Sequence, residues 1–205
     1  MSSKVEKVRA SLEGNNIATE YFEQADEVCK AVLAAIPDNA TVGLGGSTTV
    51  KQIGLLDALR QRKLRVFDQY AEGLSAEEST QRRRAGLSAE YYITSTNAIT
   101  EDGQLVNVDG IGNRVAAQIF GPRHVFIVAS THKIVKDVPA ALERIRTVAA
   151  PANAKRLKLA TPCAQGEGCE ECPAELRMCN ATVIIHRQHT KGRMKVFLIK
   201  GNYGF

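Results

Sequence analysis

The chain has 205 residues, of which 44% are hydrophobic and 24% are charged, and its formal net charge is +5. These values are typical of a soluble globular protein with a core of its own, and no apolar run approaches the roughly 18–20 residues that a bilayer span requires. The positive charge comes without a zinc-finger spacing, an RNP-like aromatic pattern or any Trp, which excludes nucleic acid as the expected partner and favours a small anion.

The N-terminal segment is predicted to be helical. Residues 1–16 contain no apolar stretch of the kind that marks a signal peptide, so we predict a cytoplasmic protein with no membrane partner. We interpret 1–16 as an N-terminal helical extension, and 17–205 as one α/β domain. Residues 17–36 have apolar side chains at helical spacing and are predicted to be a helix that Pro37 ends.

From residue 40 onward, predicted strands alternate with predicted helices. The predicted strands are 40–46, 64–69, 91–99, 124–130, 181–188 and 194–202. The predicted helices are 47–61, 75–89, 115–121 and 138–150, and Ser75 with Glu78 forms a capping box. This alternation is typical of a three-layer α/β/α domain with a mainly parallel sheet. The last two strands, separated by 189–193, are predicted to pair as a C-terminal antiparallel hairpin.

A glycine turn follows the first of these strands. In the sequence TVGLGGSTTV, Gly45 and Gly46 precede a helix at which Ser47 or Thr48 is the N-cap. Free N–H groups at such a junction suit a carboxylate or a phosphate, so these four residues are candidate ligand-binding residues. The alternative is a plain strand-to-helix turn, since the spacings of a Walker loop and of a dinucleotide fingerprint are both missing.

A second polar segment, NAITEDGQLVNVDGIGNR, occupies residues 97–114. We predict a turn at 101–104 with a positive φ at Gly103, then a returning strand, and then a second glycine turn that leads into a helix. The polar side chains and bare N–H groups of this segment are candidate ligand-binding groups, namely those of Asn97, Asn107, Asp109, Gly110, Gly112, Asn113 and Arg114. Arg114 could pair with a carboxylate through two hydrogen bonds. A hairpin with Asx turns and helix caps is the alternative interpretation.

Two further residues are candidates for catalytic roles. Lys133 follows a buried strand, and ligands of doubly wound sheets lie beyond the C-terminal ends of the strands. Glu101 is the carboxylate nearest to the second polar segment that could act as a base or a nucleophile, although it could equally be a turn residue. The sequence leaves open whether the chain is an enzyme.

Four of the five cysteines are clustered near the C-terminus with the spacing C-x5-C-x2-C-x6-C, as Cys163, Cys169, Cys172 and Cys179. Four thiolates this close in sequence could ligate zinc or an iron–sulfur cluster. The alternatives are free thiols, or a redox dithiol formed by Cys169 and Cys172. A metal would explain how a Cys-rich loop at 161–180 with little helix or strand pattern becomes ordered.

Two of these segments resemble a known superfamily. VGLGGSTTV and STNAITEDGQLVNVDGIGN are similar to signatures of the ribose-5-phosphate isomerase, glucosamine-phosphate deaminase and CoA-transferase superfamily. The resemblance implies that the Gly/Ser/Thr turn holds the anionic end of a ligand, and that the chain is a phosphosugar isomerase- or CoA-transferase-like enzyme in which Glu101 and Lys133 are catalytic. Asn97 stands where the isomerases carry a catalytic Asp, and an amide cannot act as a general base.

A narrower resemblance extends from about residue 17 to the C-terminus. The segments GGSTTVKQIG, TSTNAITEDGQLVNVDGIGNRVAAQIFGP and HKIVKDVPAALERIRTVAAPANAKRL, with the cysteine pattern, resemble the LUD-domain family (lactate utilisation, formerly DUF162). The resemblance implies a role in oxidation of lactate or a related 2-hydroxy acid, with iron–sulfur redox proteins as partners. A non-catalytic metal or iron–sulfur electron-transfer module is a third interpretation. The substrate and the assembly stay open, and a homo-oligomer is compatible with the sequence.

Overall fold

The computed structural model describes residues 2–170, 172, 173, 175 and 177–205, and it contains two sheets flanked by helices. The strands are β1 Ala18–Phe22, β2 Thr41–Leu44, β3 Arg65–Phe67, β4 Tyr91–Thr94, β5 Ala98–Thr100, β6 Leu105–Asp109, β7 His124–Ser130, β8 Ile134–Val135, β9 Ala181–Ile185 and β10 Met194–Ile199. The helices are α1 Ser3–Gly14, α2 Ala25–Ala34, α3 Thr48–Gln52, α4 Leu55–Gln61, α5 Ala76–Gly86, α6 Asn113–Ile119, α7 Val138–Arg144, α8 Ala150–Arg156 and α9 Pro162–Gln165. A π-helical turn, Ile145–Ala149, joins α7 to α8.

The larger sheet has six strands in the order β1-β10-β7-β4-β2-β3, and every neighbouring pair is parallel. Successive residues of its central strands belong to different apolar clusters. In β7, Val125 and Ile127 belong to one cluster, whereas Phe126 and Val128 belong to the other. Because side chains of a strand alternate between the two faces, both faces of this sheet are covered. The predicted α/β class with a mainly parallel sheet is confirmed.

The smaller sheet has the order β8-β5-β6-β9, and β6 pairs antiparallel with both β5 and β9. Its apolar residues Ala98 and Val106 pack with Ala141 of α7 and with Ile145 of the π-helical turn. The structure therefore holds α7 and α8 beside the segment 97–114. Within the described part of the chain, no helix combines the length and the apolar character that crossing a membrane demands.

The predicted helix over 17–36 is wrong in its first part. Residues 18–22 form the edge strand β1, which pairs with β10, and the helix begins only at Ala25 after the capping box of Gln24 and Glu27. Ile17 and Thr19 are buried while Ala18 is exposed, which is the two-residue period of a strand. The pairing with a distant strand decides the conformation of a segment whose own pattern fits either element.

The predicted C-terminal hairpin is also wrong. Its two strands exist, but β9 pairs with β6 in the smaller sheet, and β10 lies between β1 and β7 in the larger one. Met194 and Val196–Ile199 are buried on both faces of their sheet. A continuous apolar run of this kind is typical of a central parallel strand rather than of a hairpin arm.

Candidate functional site

A cleft of about 520 Å³ lies beyond the carboxyl ends of β2, β4 and β7. The candidate ligand-binding residues that line it are Gly46, Ser47, Thr48, Asn97, Asp109, Gly110, Asn113 and Arg114, and Lys133 lines it as well. The two predicted polar turns therefore meet at one cavity. This position is the one expected for a ligand of a parallel α/β sheet.

At the first turn, Ser47 is the N-cap of α3, and its side-chain oxygen accepts a hydrogen bond from the N–H of Val50 at 3.1 Å. Gly45 lies behind the cleft wall, where a Cβ atom would collide with the side chain of Thr94. The helices at the two turns have only 5 and 7 residues. Side-chain charge, rather than a long helix dipole, therefore provides most of the attraction for an anion.

At the second turn, Arg114 is held inside the protein. Each of its three side-chain nitrogens lies within 3.3 Å of a protein oxygen, and these oxygens belong to Asp109, Ser95, Asn97, Asn107 and Val108. Arg114 therefore supplies positive charge and fixes the turn, while its hydrogen bonds go to the protein. The sequence indicated that Arg114 could pair with a ligand carboxylate through two hydrogen bonds. In the structure, its N–H donors are largely engaged by these protein oxygens.

Asn107 and Gly112 act behind the surface of the cleft. Asn107 is fully buried, donates to Gln118 at 3.0 Å, and accepts from Arg114 at 2.6 Å. Gly112 is the N-cap of α6 with φ +90°, a conformation that favours glycine. Neither residue lines the cleft. Asn107 positions Arg114, and Gly112 begins the helix that carries Asn113 and Arg114, both of which line it.

Lys133 lies at the floor of the cleft with only 3% of its surface exposed. Its Nζ donates to Thr49 Oγ1 at 3.0 Å, to Ser95 Oγ at 3.2 Å and to the carbonyl of Thr96 at 3.3 Å. All three partners are neutral. Burial, with smaller contributions from Arg144 and Arg114, lowers the pKa of Lys133 to about 7.

Several residues around Lys133 were missed by the sequence analysis. Thr49 adjoins the predicted turn, and Ser95 and Thr96 directly follow the strand β4, so the rule that ligands lie beyond strand ends could have found them. Arg144 gave no sequence signal. It comes from α7, donates to the carbonyl of Asn97 at 2.8 Å, and has a pKa that burial lowers.

The cleft is positively charged along much of its wall. The cationic residues that line it are Arg83, Arg114, Lys133, Arg156 and Arg177, and Asp109 contributes a carboxylate that pairs with Arg114 at 3.2 Å. Residues 203–205 border the same floor: Thr49 donates to the carbonyl of Tyr203 at 3.1 Å, and Phe205 lines the cleft. The arrangement suits a small anion that reaches Lys133.

Glu101, the second candidate for catalysis, lies elsewhere. Its carboxylate accepts from Lys7 of α1 at 2.9 Å and lies 3.8 Å from Lys4. The hydrogen bond from Lys7 lowers the pKa of Glu101. The structure therefore does not bring Glu101 to Lys133, and the turn at 101–104 packs against α1 instead of the cleft.

The four clustered cysteines line a second cavity of about 180 Å³. All are free thiols, and the pKa of the Cys179 thiol is raised by burial and by the nearby sulfurs of the other three. Within the described residues, no group of three or more His, Cys, Asp or Glu side chains is arranged to hold a metal ion. Residues 171, 174 and 176 of the predicted loop at 161–180 lie outside the described residues.

Comparisons with known proteins found a matching family and a similar structure. A family model described as the LUD domain matches residues 5–199. A DUF162-family protein from Deinococcus radiodurans is 14% identical, covers 98% of this chain and 99% of its own, and superposes with a TM-score of 0.55. The structure of eIF2B delta from Chaetomium thermophilum is 20% identical over 58% of this chain and 50% of its own, with a TM-score of 0.38, too low to support an argument. A search of curated proteins found no match.

Proposed function

This chain belongs to the LUD-domain family, and from that membership we propose that its cleft binds a small carboxylate or phosphate in the utilisation of lactate or a related 2-hydroxy acid. The family match supports the link with lactate utilisation. The charge of the cleft supports a ligand that is a small acid, and its volume of about 520 Å³ is within the range of small-molecule sites.

One observation carries the proposal, namely the buried ammonium of Lys133 among neutral partners. Removing a charged group from water is unfavourable unless an opposite charge compensates it. The hydrogen-bond partners of Lys133 are two hydroxyls and a carbonyl, and the charges that act on it are the cations Arg114 and Arg144. A bound carboxylate or phosphate would supply the compensating charge.

The neighbours of Lys133 also suit the rest of such a ligand. Hydroxyls of Thr48 and Ser95 and the side chain of Asn97 line the same cleft, and these groups can donate to or accept from a hydroxyl or keto oxygen. Oxidation of a 2-hydroxy acid to a 2-keto acid releases a pair of electrons that an acceptor must take up. Iron–sulfur redox proteins as partners are therefore part of the same proposal.

The alternative of a phosphosugar isomerase or CoA transferase has no comparable support. It needs a carboxylate as base or nucleophile, and Glu101 is engaged by Lys7 on α1. Asp109, which lines the cleft, is paired with Arg114. We therefore propose anion binding without assigning a general base.

A thermal-shift panel tests the proposal directly. The purified chain is heated with lactate, pyruvate, sugar phosphates and CoA esters, and each acid is compared with a neutral analogue at equal ionic strength, such as lactamide for lactate. At a concentration about 100 times its Kd, a true ligand stabilises the fold by ~2.7 kcal/mol, which raises the Tm by several degrees. If no acid stabilises the chain more than its neutral analogue does, the proposal fails.

We also expect anion binding to weaken as the pH rises through about 7, because Lys133 loses its proton there. If only the charged form binds, the affinity falls about tenfold for each pH unit above the pKa. Isothermal titration of the best ligand between about pH 6 and pH 9 measures this slope. An affinity that is constant over that interval would contradict the assigned role of Lys133.

The stability of the ligand-free protein should rise with pH, whereas the affinity for the anion falls. The pKa of Lys133 is lower in the folded chain than the ordinary value of about 10.4 in the unfolded chain, so the unfolded chain binds more protons between the two values. The whole destabilising effect of the Lys133 charge is therefore present below about pH 7. This effect is relieved, and the free energy of unfolding rises, as the pH increases toward about 10.

A further inference from the structure

The four clustered cysteines form a second chemical centre beside the cleft. Cys163 lies on α9, Cys179 lies next to β9, and Cys169 and Cys172 come from the segment between them. All four line one cavity. We propose that these cysteines ligate an iron–sulfur cluster in that cavity.

The size of the cavity favours a cluster over a single ion. A tetrahedral zinc site has Zn–S bonds of about 2.3 Å, which brings its sulfurs within roughly 4 Å of one another. The cysteines instead border a space of about 180 Å³, which can hold several atoms. Four cysteines are the usual ligand set of an iron–sulfur cluster.

The lining of the cavity suits the charge of such a cluster. Four thiolates give the centre a net negative charge, and Arg146 and Arg177 line the cavity together with Glu170. Apolar side chains of Leu142, Ile145 and Met178 line other parts of its wall. Burial and neighbouring charge are the terms through which a protein stabilises and tunes a cluster.

A polar contact to one sulfur is already present. Thr161 is fully buried, and its Oγ1 lies 3.4 Å from Cys163 Sγ. A hydroxyl in this position can donate to a ligating thiolate, which is a common second interaction around metal-bound sulfur. Arg177 donates to the carbonyl of Cys179 at 3.1 Å and so ties the segment before β9 to the cavity wall.

The cluster cavity adjoins the anion cleft. Cys179 lines both, as do Val108, Ile145, Ala150, Arg177 and Met178. The two sites therefore share a wall, although the evidence for each is separate. The cysteines carry the cluster proposal, and Lys133 carries the anion proposal.

Anaerobic reconstitution of the full chain with ferric iron, sulfide and a thiol reductant tests the cluster. We expect roughly two to four iron atoms and an equal amount of acid-labile sulfide per chain, with visible absorbance that bleaches on reduction. The double variant C169A/C172A should lose most of the iron and the absorbance. Cys169 is exposed and Cys172 is partly exposed, so circular dichroism of the metal-free variant is expected to match that of the metal-free parent.

The matched control is Cys29→Ala. Cys29 is on α2, where its thiol donates to the carbonyl of Ile53, and its loss should leave the iron and sulfide content unchanged. Binding of one zinc ion without sulfide would overturn the proposal, as would disulfides that form without metal uptake. Equal iron content in C169A/C172A and in the parent would overturn it too. None of these results depends on whether lactate or another acid binds in the cleft.

Discussion

Replacing Lys133 with Met should weaken binding of the anionic ligand by about 100-fold, or ~3 kcal/mol, which is within the range for loss of one partner of a buried charge pair. Met has nearly the length of Lys and no charge, so it keeps most of the volume at the floor of the cleft. The change should appear in Kd by isothermal titration, and the pH dependence of binding should disappear with the ammonium.

A measurement of folding stability distinguishes loss of the ligand contact in K133M from general destabilisation of the fold. In the empty protein, Lys133 is buried among neutral partners and opposed by Arg114 and Arg144, so its removal relieves an unfavourable charge. Thr49 and Ser95 lose a hydrogen-bond donor, which acts in the other direction. We therefore expect K133M to unfold at a denaturant midpoint close to that of the parent, although it binds the ligand poorly.

Lys200→Met is the matched control for net charge. Lys200 pairs with Glu23 at 2.7 Å, and 64% of its side chain is exposed. This variant loses the same formal charge outside the cleft, so its affinity should equal that of the parent. If K133M binds as well as K200M does, Lys133 is not the anion contact and the proposed function loses its main support.

Replacing Gly103 with Ala should destabilise the fold by about 3 kcal/mol. Gly103 has φ +75°, and a Cβ atom there would lie 2.7 Å from the backbone nitrogen of Leu12 in α1. The left-handed conformation accounts for roughly 1 kcal/mol of the expected loss, and displacement of the α1 backbone for the rest. In a chain of this size, the loss lowers the Tm by about 6–12 °C.

Gly73→Ala separates the two contributions. Gly73 has φ +79°, nearly the value at Gly103, but a Cβ atom there has no neighbour within 4 Å. This control should lose only the roughly 1 kcal/mol that belongs to the backbone conformation. Equal losses in the two variants, measured by denaturant unfolding, would show that the contact between the turn and α1 contributes nothing to stability.

Polar side chains also join the turn at 101–104 to α1. The Nδ2 of Asn15, which follows α1, donates to the carbonyl of Asp102 at 2.7 Å, and Glu101 pairs with Lys7. The polar residues of this turn therefore hold α1 on the domain. In the segment 97–114, the residues that line the cleft are Asn97 and those from Val108 to Arg114 except Gly112.

Features that depend on a few neighbouring residues were predictable from the sequence. Ser47 caps α3, Ser75 and Glu78 form the capping box of α5, and Gly103 has a positive φ, as their local patterns predicted. The alternation of strands and helices was sufficient to predict a mainly parallel sheet. These features follow from backbone sterics, capping and side-chain period, which act over short stretches of chain.

Only the tertiary structure decided which distant segments pair and what surrounds each charge. Residues 18–22 became a strand because β10 accepts them as an edge partner, and the two C-terminal strands went to different sheets. Glu101 pairs with Lys7 of α1, whereas Arg144 of α7 lies close enough to Lys133 to help lower its pKa. The sequence by itself determined local conformation and the class of fold. The contacts that bury Lys133, and those that bring Val108 and Leu142 to the cavity lined by the four cysteines, join residues far apart in the chain, so only packing could determine them.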